Sequence, residues 1–338
     1  MRSGFSKPAR PDLQKSAAAF AVHYVPQSAL TDWLRQAENI LGIIGYGLPE
    51  PGLLASNPVF TMAPLSPISG EPVFEVWTAS TPVHPLDTGS VAGQFNDHLA
   101  FGATIVRDQD GLEPAAERAY LDIFDFLKAS GNKVPIRFWN YPVAIAADDH
   151  GMERYRRYNI GRHRAFVARL EQEQPPAATA VGGHLGASII YFLAASSAAT
   201  PVENPRQVSA YNYPQIYGPR SPSFSRASIY VQNDAACLFV SGTASIVGHE
   251  TRHEGDLAGQ IAETAKNLRA VIDEAEKRTV EPMRGEWALK IYLQDAAAVP
   301  LVAPAIDAVF GAGAQRIYLR GDICRRELLI EIEAFRQF

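Results

Sequence analysis

Cysteine is scarce. The 338-residue chain has two, Cys237 and Cys324, too few for a disulfide framework or a cysteine metal cluster, which fits a reducing cytosol. No run of eighteen or more apolar residues occurs, so no transmembrane helix is expected. The polar stretch 1–15 lacks the apolar core of a signal peptide. Positive charge is not in excess: the formal net charge is −5, which argues against nucleic acid or an anionic membrane as partner. There is no P-loop, no dinucleotide fingerprint after a strand, no HExxH and no Gly-x-Ser-x-Gly elbow. These absences describe a soluble, cytoplasmic protein without the common nucleotide, zinc or serine-hydrolase signatures.

Apolar residues make up 47% of the chain, ordinary for a protein with a proper core, and the length leaves room for two domains. The most informative stretch is almost the last one. Residues 328–335 read as a core strand in which Leu328, Ile330 and Ile332 share one face. Leu329, Glu331 and Glu333 share the other, either as a solvated face or as the lining of a cleft.

Taken in order, residues 1–22 read as a loose lead-in, and 38–70 as short strands joined by Gly- and Pro-rich turns. Alternation predicts strands over 71–80, 98–106 and 134–141. Helical spacing predicts helices over 114–130 and 152–171, followed by strands over 177–182 and 187–194. The second part repeats that order. Strands are expected at 227–232 and 237–241 around an Asn-Asp turn, then a helix at 257–277 and a strand at 287–293. A helix at 299–310 and strands at 316–319 and 328–335 complete it. Two halves with matched order suggest an α+β fold of two related modules. The expected division is 1–203, a Pro-, Tyr- and Arg-rich loop at 204–226, and 227–338. A structureless connector that long is often functional.

Four features could carry chemistry. Ser241-Gly242-Thr243-Ala244-Ser245 is a small-residue turn, either a plain bend or a place for backbone to approach a ligand closely. His249 and His253 are four apart. Without a third ligand they read as a helix N-terminal cap and surface ion pairs rather than a metal pair. Arg154, Arg156, Arg157, Arg162 and Arg164 crowd one helix, and Arg206, Arg220 and Arg226 flank the central loop. Arginine suits bidentate carboxylate recognition. Tyr155, Tyr158, Tyr211, Tyr213 and Tyr217 accompany them. With a strand carboxyl, this set suggests a small anionic substrate and acid–base chemistry.

The motifs Glu203-Asn204-Pro205-Arg206-Gln207-Val208, Tyr211-Asn212-Tyr213-Pro214 and Tyr217-Gly218-Pro219-Arg220 resemble those of the chorismatases. So do residues 241–251, His253-Glu254-Gly255-Asp256, Phe138-Trp139-Asn140, 151–162 and 324–333. The resemblance runs from about residue 40 to the end. It implies a fold of two Rid (YjgF)-like, chorismate mutase-like modules, mixed sheets with helices on one face. It further implies removal of the enolpyruvyl side chain of chorismate as pyruvate, without metal or organic cofactor.

Residue by residue, the resemblance makes Glu331 the acid that protonates the enol-ether methylene, and Tyr155, Arg162, Tyr213 and Arg226 the substrate-binding set. Burial on an apolar strand would raise the acid's pKa, and Glu333 would add to this if it points the same way. Gly242 and Cys324 resemble the rearranging, 3-hydroxybenzoate-forming members, some of which also give 4-hydroxybenzoate, rather than the hydrolytic branch. Ser209, Asn212, Gln215 and Ile216 depart from the family pattern. Two more distant alternatives are a Rid-type imine deaminase, for which Arg316 would have to face the acid, and a non-catalytic Rid-like ligand-binding protein. A monomer is expected, because two modules in one chain can cover surfaces that single-module relatives bury by trimerising.

Overall fold

The computed structural model describes residues 20–49, 60–68, 70–131, 133–170, 174–232, 235–279 and 283–338. Three mixed sheets carry the fold. A seven-stranded sheet runs in the order Thr200–Val202, Ala227–Gln232, Ala235–Thr243, Ile330–Gln337, Trp287–Leu293, Gln315–Arg320, Ser66–Pro67. A six-stranded sheet runs Ala177–Ala180, Val134–Tyr141, Ile189–Ala195, Leu99–Ile105, Val91–Phe95, His84–Asp87. A four-stranded sheet is built from Phe20–Pro26, Val73–Ala79, Ile40–Tyr46 and Phe60–Ala63.

Period-two alternation gives each large sheet two apolar faces. In the six-stranded sheet Phe138, Ile190 and Phe192 pack under the helices Leu112–Ala129 and Arg154–Arg169. Trp139, Tyr191 and Leu193 face the other way into a central core. In the seven-stranded sheet Leu238, Leu289, Ile291, Ile330 and Ile332 pack under Leu257–Glu276 and Val299–Phe310. Phe239, Ala288 and Tyr292 turn to that same central core, as does Trp77 of the four-stranded sheet. The architecture is α+β, with helices outside and sheet faces meeting inside.

The closing strand lies between Ala235–Thr243 and Trp287–Leu293, antiparallel to both. It is therefore a central strand, and its inward face, with Glu331 and Glu333, looks into the protein. It spans Ile330–Gln337 rather than 328–335. Leu328 sits in a turn, its N–H donating to the Arg325 carbonyl, and joins the central core instead of the helix-covered face.

Other boundaries moved for local reasons. Met152–Glu153 pair with Asp148–Asp149 as a small hairpin, with Gly151 at φ +80°, so the arginine helix starts at Arg154. The strand Phe20–Pro26 begins inside the expected lead-in, whose residues 1–19 lie outside the described ones. The helix Gln27–Leu34 and the hairpin His84–Asp87/Val91–Phe95 were not expected. The first strand of that hairpin is a mostly exposed edge with a proline, and it carries no alternation to read. The expected Asn233-Asp234 turn, like Pro51 and Gly52 of the early Gly- and Pro-rich stretch, lies outside the described residues.

Candidate active site

A cavity of about 370 Å³ lies beside the closing strand. Its walls come from that strand, the arginine helix, Ala177–Ala180, the small-residue turn, the 204–226 loop and residues 324–327. Glu331, Tyr155, Arg162, Tyr213, Arg226, Gly242 and Cys324 all line it. The seven positions singled out in the sequence thus converge on one space of a size suited to a small ligand.

Glu331 is 5% exposed. Burial, and then the negative charge of Glu333, push its carboxyl up to about 8, against the pull of Arg137 and Arg226. At neutral pH most of it holds its proton. The expected like-charge effect is present. Gly242 makes this placement possible, because a Cβ there would stand 1.9 Å from Glu331 Oε1. The Gly242 N–H is held by Thr179 Oγ1 at 3.0 Å. The small-residue turn is therefore a close approach of backbone to the acid.

Arg162 is 2% exposed, with its guanidinium 4.8 Å from the Phe166 ring, 5.2 Å from Tyr120 and 5.8 Å from Phe138. Its Nε and Nη2 have no hydrogen-bond partner among the described residues. Arg226 donates through Nη2 to the Val208 carbonyl and the Tyr213 hydroxyl, both at 2.8 Å, and its Nε is also unpartnered. A buried guanidinium donor left without a partner is costly, so Arg162, and Arg226 with its open Nε beside Glu203, call for an anionic guest. Burial, and then the charge of Glu331, push the Cys324 thiol up to about 12. It is a neutral S–H wall at ordinary pH. Burial likewise keeps the Tyr155 hydroxyl protonated.

The rim is held by aromatic and cationic stacking. Arg325 lies 4.1 Å over the Tyr217 ring and 5.4 Å over Tyr213, and its Nη1 donates to the His249 carbonyl and Thr251 Oγ1. Tyr217 also meets His249 Nδ1 at 3.2 Å. Neither histidine supplies the expected helix cap. His249 lies in the turn of the Ile246–Val247/Glu250–Thr251 hairpin after Gly248, the second strand separates it from His253, and His253 has φ 60°. His253 pairs with Glu263 at 3.7 Å, while Asp256 supplies the helix cap.

Several residues of the arginine supply do not reach the cavity. Arg154 pairs with Asp108, Arg157 with Asp149, Arg164 with Glu113, and Arg206 with Glu263. Arg316 does not face the acid either. It pairs with Asp307 at 2.6 Å and is not among the lining residues, which removes the geometric basis for the imine-deaminase alternative.

Arg156 of the arginine helix lines the cavity too, and Thr179, Phe224, Arg325 and Glu327 line it without having been given a role. A second group missed in the sequence lies behind the acid. Glu333 receives Arg137 Nη2 at 3.0 Å, Trp139 Nε1 at 2.8 Å and Lys290 Nζ at 2.8 Å. Lys290 also meets Glu75 at 2.8 Å. The available signal was a lone charge inside an otherwise apolar strand, in Val73–Ala79, Val134–Tyr141 and Trp287–Leu293 alike.

The family described as "Chorismatase FkbO/Hyg5-like, N-terminal" matches residues 75–194. A 3-hydroxybenzoate synthase of Streptomyces hygroscopicus is 36% identical over 310 residues, covering 87% of this chain and 91% of the relative. A chorismatase of Streptomyces rapamycinicus is 33% identical over 308 residues, covering 88% of this chain and 92% of its own. A crystal structure of a chorismatase superposes with a TM-score of 0.84 at 28% identity, covering 94% of this chain and 98% of that one. Similarity of this extent, over a cavity holding a raised carboxyl and two arginines with unpartnered donors, places the chain in the chorismatase family.

Proposed function

We infer that this protein cleaves chorismate into 3-hydroxybenzoate and pyruvate. The observation that carries this is the meeting, in one cavity, of a carboxyl shifted to about 8 with the uncommitted donors of Arg162 and Arg226. Chorismate is a dicarboxylate with an enol ether. The arginines take its carboxylates, while Tyr155 and Tyr213 pack against it and fix its orientation. Glu331 delivers a proton to the methylene carbon, which places positive charge on the ether-bearing carbon. The neighbouring ring hydroxyl oxygen then attacks the ether-bearing ring carbon as its bond to the side-chain oxygen breaks, which frees pyruvate and returns a proton to Glu331. The bridged ring reopens and aromatises with its hydroxyl on that carbon, with no net consumption of water. No metal or organic cofactor enters this scheme.

The choice of 3-hydroxybenzoate over a diene diol rests on Gly242 and Cys324 and on the similarity to a 3-hydroxybenzoate synthase. The wall at these positions has no Cβ on one side and a neutral thiol on the other. It orders water poorly and favours attack from within the substrate. We assign the functional units to 1–203, the 204–226 loop and 227–338, and take the working form to be a cytoplasmic monomer. Among the described residues no helix is long and apolar enough to cross a membrane.

The test is direct. Purified protein is incubated with chorismate, pyruvate is followed with a coupled dehydrogenase, and ring products are separated by chromatography. Pyruvate with equimolar 3-hydroxybenzoate is expected, with some 4-hydroxybenzoate compatible. A dihydroxycyclohexadiene acid would reassign the protein to hydrolysis, and pyruvate no faster than the spontaneous background would overturn the reading.

A further inference from the structure

Two carboxyls on one buried strand face share one environment, yet only one can be the proton donor. Glu331 and Glu333 are two residues apart, about 6.6 Å along the strand. Both are nearly sealed from solvent. What separates them is what each faces. Glu331 faces the cavity and the bare backbone of Gly242. Glu333 faces three donors, Arg137, Trp139 and Lys290.

The group around Glu333 is closed and charge-balanced. Lys290 stands opposite Glu333 in the strand register and bridges it to Glu75, with its Nζ 2.8 Å from a carboxylate oxygen of each. Glu75 accepts in turn from Tyr46 at 2.6 Å, Tyr191 at 3.0 Å and Trp77 at 2.8 Å. Arg137 spans to Thr179 at 2.6 Å, the residue that holds the Gly242 N–H. Two acids and two bases thus cancel, and Glu75, Lys290, Glu333 and Arg137 are absent from the cavity lining. A buried ion group of this completeness is an expensive way to make a core, which argues for a task beyond packing.

We propose that the Glu75–Lys290–Glu333–Arg137 quartet fixes the negative charge on Glu333 and thereby assigns the proton of the strand's inward face to Glu331. Glu333 is the positioning residue that acts on Glu331, Lys290 and Arg137 hold its charge, and Glu75 only balances Lys290 from the far side. The proposal rests on Glu331 being the acid of chorismate cleavage.

The other groups facing Glu331 are Arg137 from Val134–Tyr141, Arg226 at the start of Ala227–Gln232, Tyr155 from the arginine helix, Cys324 from the preceding turn, and Tyr292 opposite in register. Arg137 and Arg226 oppose protonation. Cys324 and Tyr155 are themselves held neutral by burial. Tyr292 is tied to Tyr141 at 2.7 Å. Glu153 and Glu327 also line the cavity, but among the described residues Glu333 is the acid whose charge raises Glu331, and Lys290 and Arg137 hold Glu333 below the usual carboxylate range although burial alone would raise it.

The experiment compares activity–pH profiles of the full chain and three variants, alongside carbon-13 titration of Glu331 in glutamate-labelled protein. Glu333→Gln is expected to move the alkaline loss of activity, and the Glu331 titration, down by roughly one unit or more, since a like charge is removed. Glu333→Gln/Lys290→Met removes one charge of each sign, keeps the group neutral, and decides the question if the single variant fails to fold. It must show the same downward move. Glu75→Gln removes an equal charge on the far side of Lys290 and is expected to leave the profile within a few tenths of a unit. A wild-type profile in the double variant, or an equal move in Glu75→Gln, overturns the proposal. Absence of pyruvate in the wild type would overturn the reading of the reaction instead, and the carbon-13 titration still judges the quartet.

Discussion

Two groups of buried charge lie along the inward face of the closing strand, and they follow opposite rules. Around Glu333 both acids and both bases are matched, and Lys290 lies between two carboxylates at 2.8 Å each. Across the strand, in the cavity, Arg162 keeps two guanidinium donors without partners among the described residues, and Arg226 keeps one. Both groups are buried in aromatic surroundings, so burial alone does not tell structure from function. The state of satisfaction does. A saturated buried cluster holds itself together, whereas an unsaturated one calls for a guest.

Substitutions can break that contrast at several points. The largest effect is expected from Glu331→Gln, which removes the general acid and should lower kcat by about 10²–10⁴-fold, read as pyruvate release, with an unchanged circular dichroism spectrum. Next comes Lys290→Met. Leaving Glu75 and Glu333 with one cation between them should cost about 3–5 kcal/mol of stability, measured by urea unfolding.

Arg162→Met sharpens the comparison from the other side. It should lose about 2–4 kcal/mol in kcat/KM, as truncation of a buried charged contact to a ligand does. Stability should hold or rise, because an uncompensated buried charge disappears. Gly242→Ala is expected to cost roughly 10²-fold in kcat by displacing the Glu331 carboxyl from its seat, and a structure of the variant would display the shift.

The smallest effect lies in stability against pH. Glu331 has a folded value, about 8, above its unfolded one. Its contribution is therefore complete below the ordinary carboxyl range and is lost as pH rises through about 8. Urea unfolding across that window should show a downward slope that Glu331→Gln lacks.

The roles in the cavity were legible through motifs that resemble the chorismatases, while the residues taken one at a time pointed only to an anionic substrate and acid–base chemistry. A carboxyl on an apolar strand, a glycine in a small-residue turn and an arginine beside tyrosines each stand out locally. The quartet was not legible. Glu75, Arg137, Lys290 and Glu333 come from four strands in three sheets, and only the packing of the sheets makes them neighbours. Glu75, Arg137 and Lys290 each read alone as one charge in an apolar run, and Glu333 only as a neighbour of Glu331. The aromatic box of Arg162 was hidden likewise, since Tyr120 and Phe138 lie outside its helix. The two histidines read in the sequence as a helix cap and ion pairs, and only the ion pair forms: His249 sits in the hairpin turn after Gly248, His253 pairs with Glu263, and Asp256 is the cap.

The central position of the closing strand makes the acid depend on docking. Arg137 and Glu75 belong to strands of two other sheets, and Glu333 on the closing strand meets the first directly and the second through Lys290. Until that strand docks between its two neighbours, the cations lack Glu333, the cavity lacks a wall, and the acid is an ordinary solvated carboxyl. Reactivity therefore depends on that docking, because a chain with the strand undocked has neither the raised acid nor the cavity that holds its substrate.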